Sequence, residues 1–235
     1  MKPHVSILML TSVDGSLHPS RFTTSPEGTR RDWSAQYEQV HASLHGNAWL
    51  VGRVTMAEMS KAAAHAPPAP WKVQKPIHVA KTSSQMFAIA LDPGGKIHFA
   101  GGKVAGDDAI ALLGRDVPDS HLAELAADGV SYIVSQSDSI DLPAVLEVLA
   151  RDFGIRHLIV EGGAGTNGMF LAAGVVDEFH VLIAPAVEGS QHLQGIVSYR
   201  DGLAGKVEFR LKTVTPLEQG VVYLTYEISA TQPRT

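Results

Sequence analysis

The sequence predicts an α/β fold: a single domain with a mixed, mostly parallel central sheet, helices on both faces and a C-terminal antiparallel hairpin. Three observations carry this. Continuous apolar runs such as VSILMLTS (5–12) and the core of IRHLIVEGG (155–163) suit strands covered on both sides. Helical stripes alternate with these runs, and a repeated strand–helix–strand unit makes right-handed crossovers between parallel strands. Past Gly174 the period changes to two, as Val207, Phe209 and Leu211, then Val222, Leu224, Tyr226 and Ile228, alternate with polar residues. No internal repeat and no clean linker divides the chain, so residues 1–235 are expected to form one domain with an ordered core over 3–228.

The elements follow in order. The first strand, 5–12, ends in VDGS. TTSPEGTRRDWSAQYEQVHASL is an amphipathic helix with Thr24 or Ser25 as N-cap, Pro26 in the first turn, and Trp33, Tyr37, Val40 and Leu44 on one stripe. NAWLVG is a short strand, and RVTMAEMS begins a helix at or near Thr55. The alanine- and proline-rich run from Ala62 to Lys75 is an extended surface connection, whether a lid or a plain solvated loop. PIHVAK and KIHFAGG are short strands. DSHLAELAADG is a helix ending at Gly129, VSYIVS a strand, and DLPAVLEVLARDFG a helix with Leu142, Val145, Leu146 and Leu149 on one face. IRHLIVEGG is the next strand, NGMFLAAG a helix ending at Gly174, and VVDEFHVLIAP precedes the hairpin.

Composition excludes several classes of function. The formal charge of −5 offers no basic field for a nucleic-acid backbone, and the 19 Lys and Arg are dispersed. The opening MKPHVSILMLTS has an apolar stretch of only about six residues, too short for a signal sequence or a membrane span, so a cytoplasmic protein with no membrane partner is expected. The absence of cysteine removes disulfides, thiolate nucleophiles and sulfur-ligated zinc. His41 and His45 stand at i, i+4 without the glutamate of H-E-x-x-H and are read as a solvated helix face. His157, His180 and His192 are isolated, and no metal is expected.

The chemistry is read at the ends of strands. In LIVEGGAGTNGMFL (158–171), Glu161 sits at the carboxyl end of a strand, where open α/β sheets place ligands. Gly162, Gly163 and Gly165 follow, letting backbone N–H groups approach an anion, and Thr166 or Asn167 starts a helix whose dipole favours phosphate. The spacing is neither G-x-G-x-x-G nor a P-loop, and such turns also occur where nothing binds. LVGRVT is a second candidate, with Gly52 ending a strand, Arg53 supplying charge and Thr55 a hydroxyl at a helix start. Lys81 and Thr82 after HVA are a third. Three strand-end anion sites suit a dinucleotide better than a single phosphate.

TSVDGS near the N-terminus, LVGRVT, LIVEGGAGTNGMFLAAGVVDEFHVLIAP and the closing hairpin together resemble the reductase domain of riboflavin biosynthesis, which has the fold of dihydrofolate reductase. The resemblance runs from about Pro3 to Ile228, and VEGG followed by DEFHVLIAP is its most specific part. It implies NADPH binding and hydride delivery to a ribosylamino-pyrimidine. It further implies that Gly52, Arg53 and Thr55 meet cofactor phosphates, Lys81 and Thr82 the adenosine 2′-phosphate, and Gly162, Gly163, Ala164, Gly165 and Thr166 the pyrophosphate. Thr11, Ser12 and Asp14 would flank nicotinamide and substrate, with Glu161 close behind. Asp14 is the candidate to supply or relay the proton on nitrogen, although DG is also an ordinary turn.

The chain departs from the family where riboflavin members continue DG with Lys or Arg and carry an arginine late in the first helix. Here Ser16, Leu17 and HASLHG stand in those places, and Arg21, Arg30 and Arg31 are the available replacements. Without cysteine there is no P-C-x-x-C motif, so a stand-alone reductase-like chain without a deaminase is expected. A different small carbonyl, imine or pteridine-like substrate, or a non-catalytic NADP-binding module, are the alternatives. A homodimer is expected, because the apolar closing strands need a cover.

Overall fold

The computed structural model describes residues 1–67, 73–81 and 85–231. In chain order these form β1 (His4–Ser12), α1 (Arg30–Ser43), β2 (Ala48–Gly52), α2 (Arg53–Ser60), β3 (Ile77–His78), β4 (Phe87–Asp92), β5 (Lys103–Val104), β6 (Asp107–Leu113), α3 (Asp119–Ala127), β7 (Ser131–Val134), α4 (Leu142–Asp152), β8 (His157–Val160), α5 (Ala164–Ala172), β9 (Glu178–Ala184), β10 (Val207–Pro216) and β11 (Val222–Ala230). The fold is α/β with a mixed sheet and a C-terminal antiparallel hairpin, the class that the sequence predicts. Among the described residues no helix is long and apolar enough to cross a membrane.

Contacts divide the chain into two compact units, one of residues 1–3 and 47–158, the other of 4–46 and 159–235. In the first, the strands run β2-β4-β6-β7-β3, with β2, β4, β6 and β7 parallel and β3 antiparallel to β7. Strands β4 (FAIALD) and β6 (DDAIALL) pair Ala88 with Ala109 and Ala90 with Ala111. These small side chains leave room for the rings of Trp49, Phe99 and Tyr132, which fill the core beside them. Neither strand is legible as such in the sequence, because alanine is a helix former and depleted from strands.

KIHFAGG is the opposite case. Ile97 and Phe99 are buried as an alternating strand would bury them, but the segment joins no ladder, and only its last residue, Gly102, accepts a backbone hydrogen bond from β6, the Ala109 N–H at 2.8 Å. Asp92 Oδ2 accepts from the N–H of Lys96 at 2.6 Å and of Ile97 at 2.7 Å, closing a turn that returns the chain over the core. PIHVAK is likewise reduced to the two residues of β3.

In the second unit the order is β10-β11-β9-β1, with β1 and β9 parallel and the other pairs antiparallel. Helix α1 starts later than the sequence suggests. Its N-cap is Thr29, in a reciprocal capping box with Asp32, rather than Thr24 or Ser25. The predicted stripe nonetheless faces the core, where Trp33 and Val40 are buried with Tyr37 and Leu44 packed against them. Among the described residues each unit has one buried tryptophan, Trp49 at 6% exposure and Trp33 at 2%. Phe209, Leu211, Val214 and Val222 of the hairpin remain exposed.

Candidate active site

In the second unit the site grows from the carboxyl ends of β1 and β8 and from one face of α1. Glu161 follows β8 directly, and its side chain is only 18% exposed. Tyr37 donates its hydroxyl to Glu161 Oε1 at 2.6 Å, and His41 Nε2 lies 3.7 Å from the same oxygen. Burial pushes the Glu161 carboxyl above the usual glutamate value, against the opposing pull of the Tyr37 hydroxyl and His41. Burial and the Glu161 charge push the Tyr37 phenol well above its ordinary value. A cleft of about 240 Å³ opens here, lined by Met9, Leu10, Leu17, Pro19, Ser34 and Glu161 among others. A carboxyl whose proton affinity is raised by burial beside such a cleft has the character of a general acid–base group.

His41 is thus not on a solvated face. Its Nε2 is buried and lacks a hydrogen-bond partner, one helical turn beyond Tyr37. The spacing of Tyr37 and His41 (i, i+4) is the sequence signal that could have linked them. Nothing in one dimension showed that Glu161 lies opposite.

Asp14 faces the loop after β9. Its carboxylate accepts from the N–H groups of Glu188 (3.1 Å) and Gly189 (2.8 Å), and Ser12 donates its hydroxyl to it. The Ser12 hydrogen bond and then the Gly189 amide hold the carboxyl below the usual aspartate value. The geometry makes Asp14 an ionised acceptor that pins the 188–189 loop. Thr11 extends the network by donating to the Ser16 carbonyl at 2.9 Å. Ser16 is buried and donates its hydroxyl to Glu188, so a carboxylate stands beside the turn.

The glycines divide their work. Gly162 has φ +87°, and a Cβ there would meet Met9 Sδ at 2.9 Å, so both backbone freedom and space are required. Gly163 is the N-cap of α5, and no side chain caps the helix. A Cβ at Gly163 or Gly165 would meet nothing within 4 Å, leaving the helix start open to an anion. The helix therefore begins at Ala164, before the Thr166 or Asn167 of the sequence reading. Thr166 is buried, and Asn167 is fully buried with Nδ2 donating to the Ile196 carbonyl at 2.8 Å. Gly168 lets the Ser198 carbonyl pack against the helix, since a Cβ would lie 2.0 Å from that oxygen.

In the first unit, α2 begins at Arg53 with Gly52 as N-cap, again without a side-chain cap. Thr55 is therefore the third helical residue and not the cap. Arg53 and Thr55 are exposed, and Arg53 has no carboxylate partner among the described residues. Lys81 is exposed, and Thr82 lies outside the described residues.

Each unit thus offers a helix start with a glycine N-cap and no side-chain cap at a strand end, and the second adds a carboxyl, raised by burial, beside a small cleft. The chain belongs to the RibD C-terminal domain family, whose model matches residues 3–223. It is 38% identical over 74 residues to the riboflavin biosynthesis protein RibD of Bacillus amyloliquefaciens, over 32% of this chain. It is 30% identical over 124 residues to the 2,5-diamino-6-ribosylamino-4(3H)-pyrimidinone 5′-phosphate reductase of Methanothermobacter thermautotrophicus, over 51% of this chain. These stretches span 20% and 56% of the two relatives' own lengths. Among solved structures, a pyrimidine reductase-like protein from Corynebacterium diphtheriae superposes with a TM-score of 0.64 at 16% identity, covering 96% of this chain and 92% of that one.

Proposed function

We propose that the chain is an NADPH-dependent reductase of the pyrimidine reductase type, a homodimer in the cytoplasm, acting as one reductase-like domain over 1–235 with its core over 3–228. The observation that carries the catalytic reading is the mostly buried Glu161 at the cleft, its carboxyl raised by burial and hydrogen-bonded by Tyr37. NADPH, when bound, supplies the hydride. The residues proposed for its phosphates are Gly52, Arg53, Thr55, Lys81 and Thr82, and Gly162 to Thr166 at the start of α5. Two helix N-termini without side-chain caps fit such anions. Glu161 donates the proton that an imine or carbonyl acceptor requires, and Tyr37 orients it. Ser12 and Asp14 shape the substrate side by fixing the turn after β1.

Replacing Arg53 by alanine removes a charge-assisted contact of about 1.5–3 kcal/mol, so NADPH should bind roughly ten- to a hundredfold more weakly by tryptophan quenching. Unchanged affinity would remove Arg53 from the phosphate site. The substrate reading is tested by NADPH oxidation with the ribosylamino-pyrimidine 5′-phosphate, which should turn over.

One observation favours a second substrate class. Ser16 stands where a basic residue is expected, and it is tied to Glu188, which does not suit a sugar phosphate. A small uncharged imine, carbonyl or pteridine-like compound fits that turn, and turnover of such compounds with none of the pyrimidine would select it.

The exposed Phe209, Leu211 and Val214 supply the apolar face for the dimer. The double substitution Phe209→Ser, Leu211→Glu should convert a dimer into a monomer by light scattering. A wild-type monomer at micromolar concentration would refute the dimer.

A further inference from the structure

A second polar cluster lies in the unit of β2–β7, apart from every residue assigned above. His121 and Glu124 stand one turn apart on α3, both buried, at 7% and 5% exposure. The turn closed by Asp92 carries His98 to them, and the segment after α2 carries His65. His98 Nδ1 is 2.6 Å and His65 Nδ1 3.3 Å from Glu124 Oε1, while His121 Nδ1 is 3.7 Å from Oε2. One donor atom each from His98, His121 and Glu124 lies within 4.8 Å of the others. The four residues line a cavity of about 540 Å³.

The cluster is incompletely satisfied by the protein itself. His121 Nε2 is buried without a hydrogen-bond partner, as is Asp128 Oδ2 at the end of the same helix. A buried unpaired polar atom costs about 1–3 kcal/mol, and a cation would bring the lone pairs around it to one centre. Gly95, at φ +57°, lets the turn approach closely, since a Cβ there would lie 3.0 Å from the His121 ring.

We propose that His98, His121 and Glu124, closed on the cavity side by His65, form a divalent-cation site selective for Zn²⁺. Imidazole nitrogens with one carboxylate suit zinc rather than magnesium or calcium, which take oxygen shells. Tetrahedral bonds of about 2.0–2.2 Å bring the donors to roughly 3.4 Å from one another. His98 Nδ1, at 2.6 Å from Glu124, must move outward to reach that spacing and His121 Nδ1, at 3.7 Å, slightly inward, and the partly exposed His98 and His65 are the side chains free to rotate. Bound zinc ties the segment after α2, the turn after β4 and helix α3 together. The signal was hidden in the sequence because the donors come from three separate segments, and only His121 and Glu124 share a helix.

The test is calorimetric titration of the chelator-treated full chain with zinc chloride, with thermal melting alongside. One zinc per chain at micromolar or tighter affinity, with a raised Tm, is expected. His98→Gln should weaken binding at least tenfold, and the surface control His45→Gln/His192→Gln should not. Absence of binding at about a hundredfold that concentration, or loss of binding in the control but not in His98→Gln, overturns the site. Zinc-edge X-ray absorption of the loaded wild-type chain is a readout independent of any variant's folding. Two or three imidazoles in the shell support the assignment, and fewer than two overturn it.

Discussion

Glu161→Gln is expected to lower turnover by about two to four orders of magnitude, the range that a positioned general acid supplies, with NADPH affinity unchanged. The substitution keeps the volume of the side chain and its oxygen acceptor for Tyr37, and removes only the transferable proton. The pH dependence carries a sign. Burial raises the Glu161 carboxyl, so the acid form persists above the usual glutamate range, and kcat/KM of the wild type should fall as pH rises through that raised value. The Gln variant should lack that limb. Tyr37→Phe deletes the hydrogen bond that pulls the value down, and should move the limb to higher pH. Stability follows the same linkage. The native state binds the proton more tightly than the unfolded chain, so this contribution is complete below the ordinary glutamate pKa and is lost as pH rises through the native one. Glu161→Gln should therefore melt no lower than the wild type at neutral pH. A variant that keeps wild-type turnover would remove Glu161 from the chemistry, and one that loses both stability and activity would make it structural.

Gly168→Ala is expected to be the most damaging single methyl in the second unit. The added carbon would sit 2.0 Å from the Ser198 carbonyl oxygen and 2.7 Å from its carbon, so backbone must move. Overpacking of this kind costs about 1–3 kcal/mol. The displaced segment also holds two hydrogen bonds to α5, Ser198 N–H to the Ala164 carbonyl at 2.9 Å and Asn167 Nδ2 to the Ile196 carbonyl at 2.8 Å. Loss of both puts the effect at the upper end, a fall in Tm of roughly 6–12 °C for a chain of this size. Gly165→Ala, one turn away in open space, should leave Tm within about 2 °C. Equal melting of the two variants would show that the 196–198 segment yields freely.

What could be read in the sequence was whatever local pattern decides. The uniform apolar runs of β1 and β8, the Leu142/Val145/Leu146/Leu149 face of α4 and the period-two hairpin are each fixed by burial on a repeating geometry. The alanine strands β4 and β6 were not legible, because their identity as strands comes from pairing with each other and not from propensity. KIHFAGG had the strand pattern without a partner strand, and a carboxylate turn decided its path. At the site, Glu161 and the glycines stood out as strand-end residues. The partners that give them meaning, Tyr37 and His41 across the unit and Glu188 beneath Asp14, are brought near only by the fold.

The distribution of the tryptophans has a practical consequence. Trp33 and Trp49 lie in the cores of different units, so each unit carries its own intrinsic fluorophore. A pair of single-tryptophan chains, each also carrying Trp71→Phe, would report the denaturation of one unit at a time. Coincident midpoints would mark a single cooperative transition, and separated ones would reveal an intermediate with one half still native.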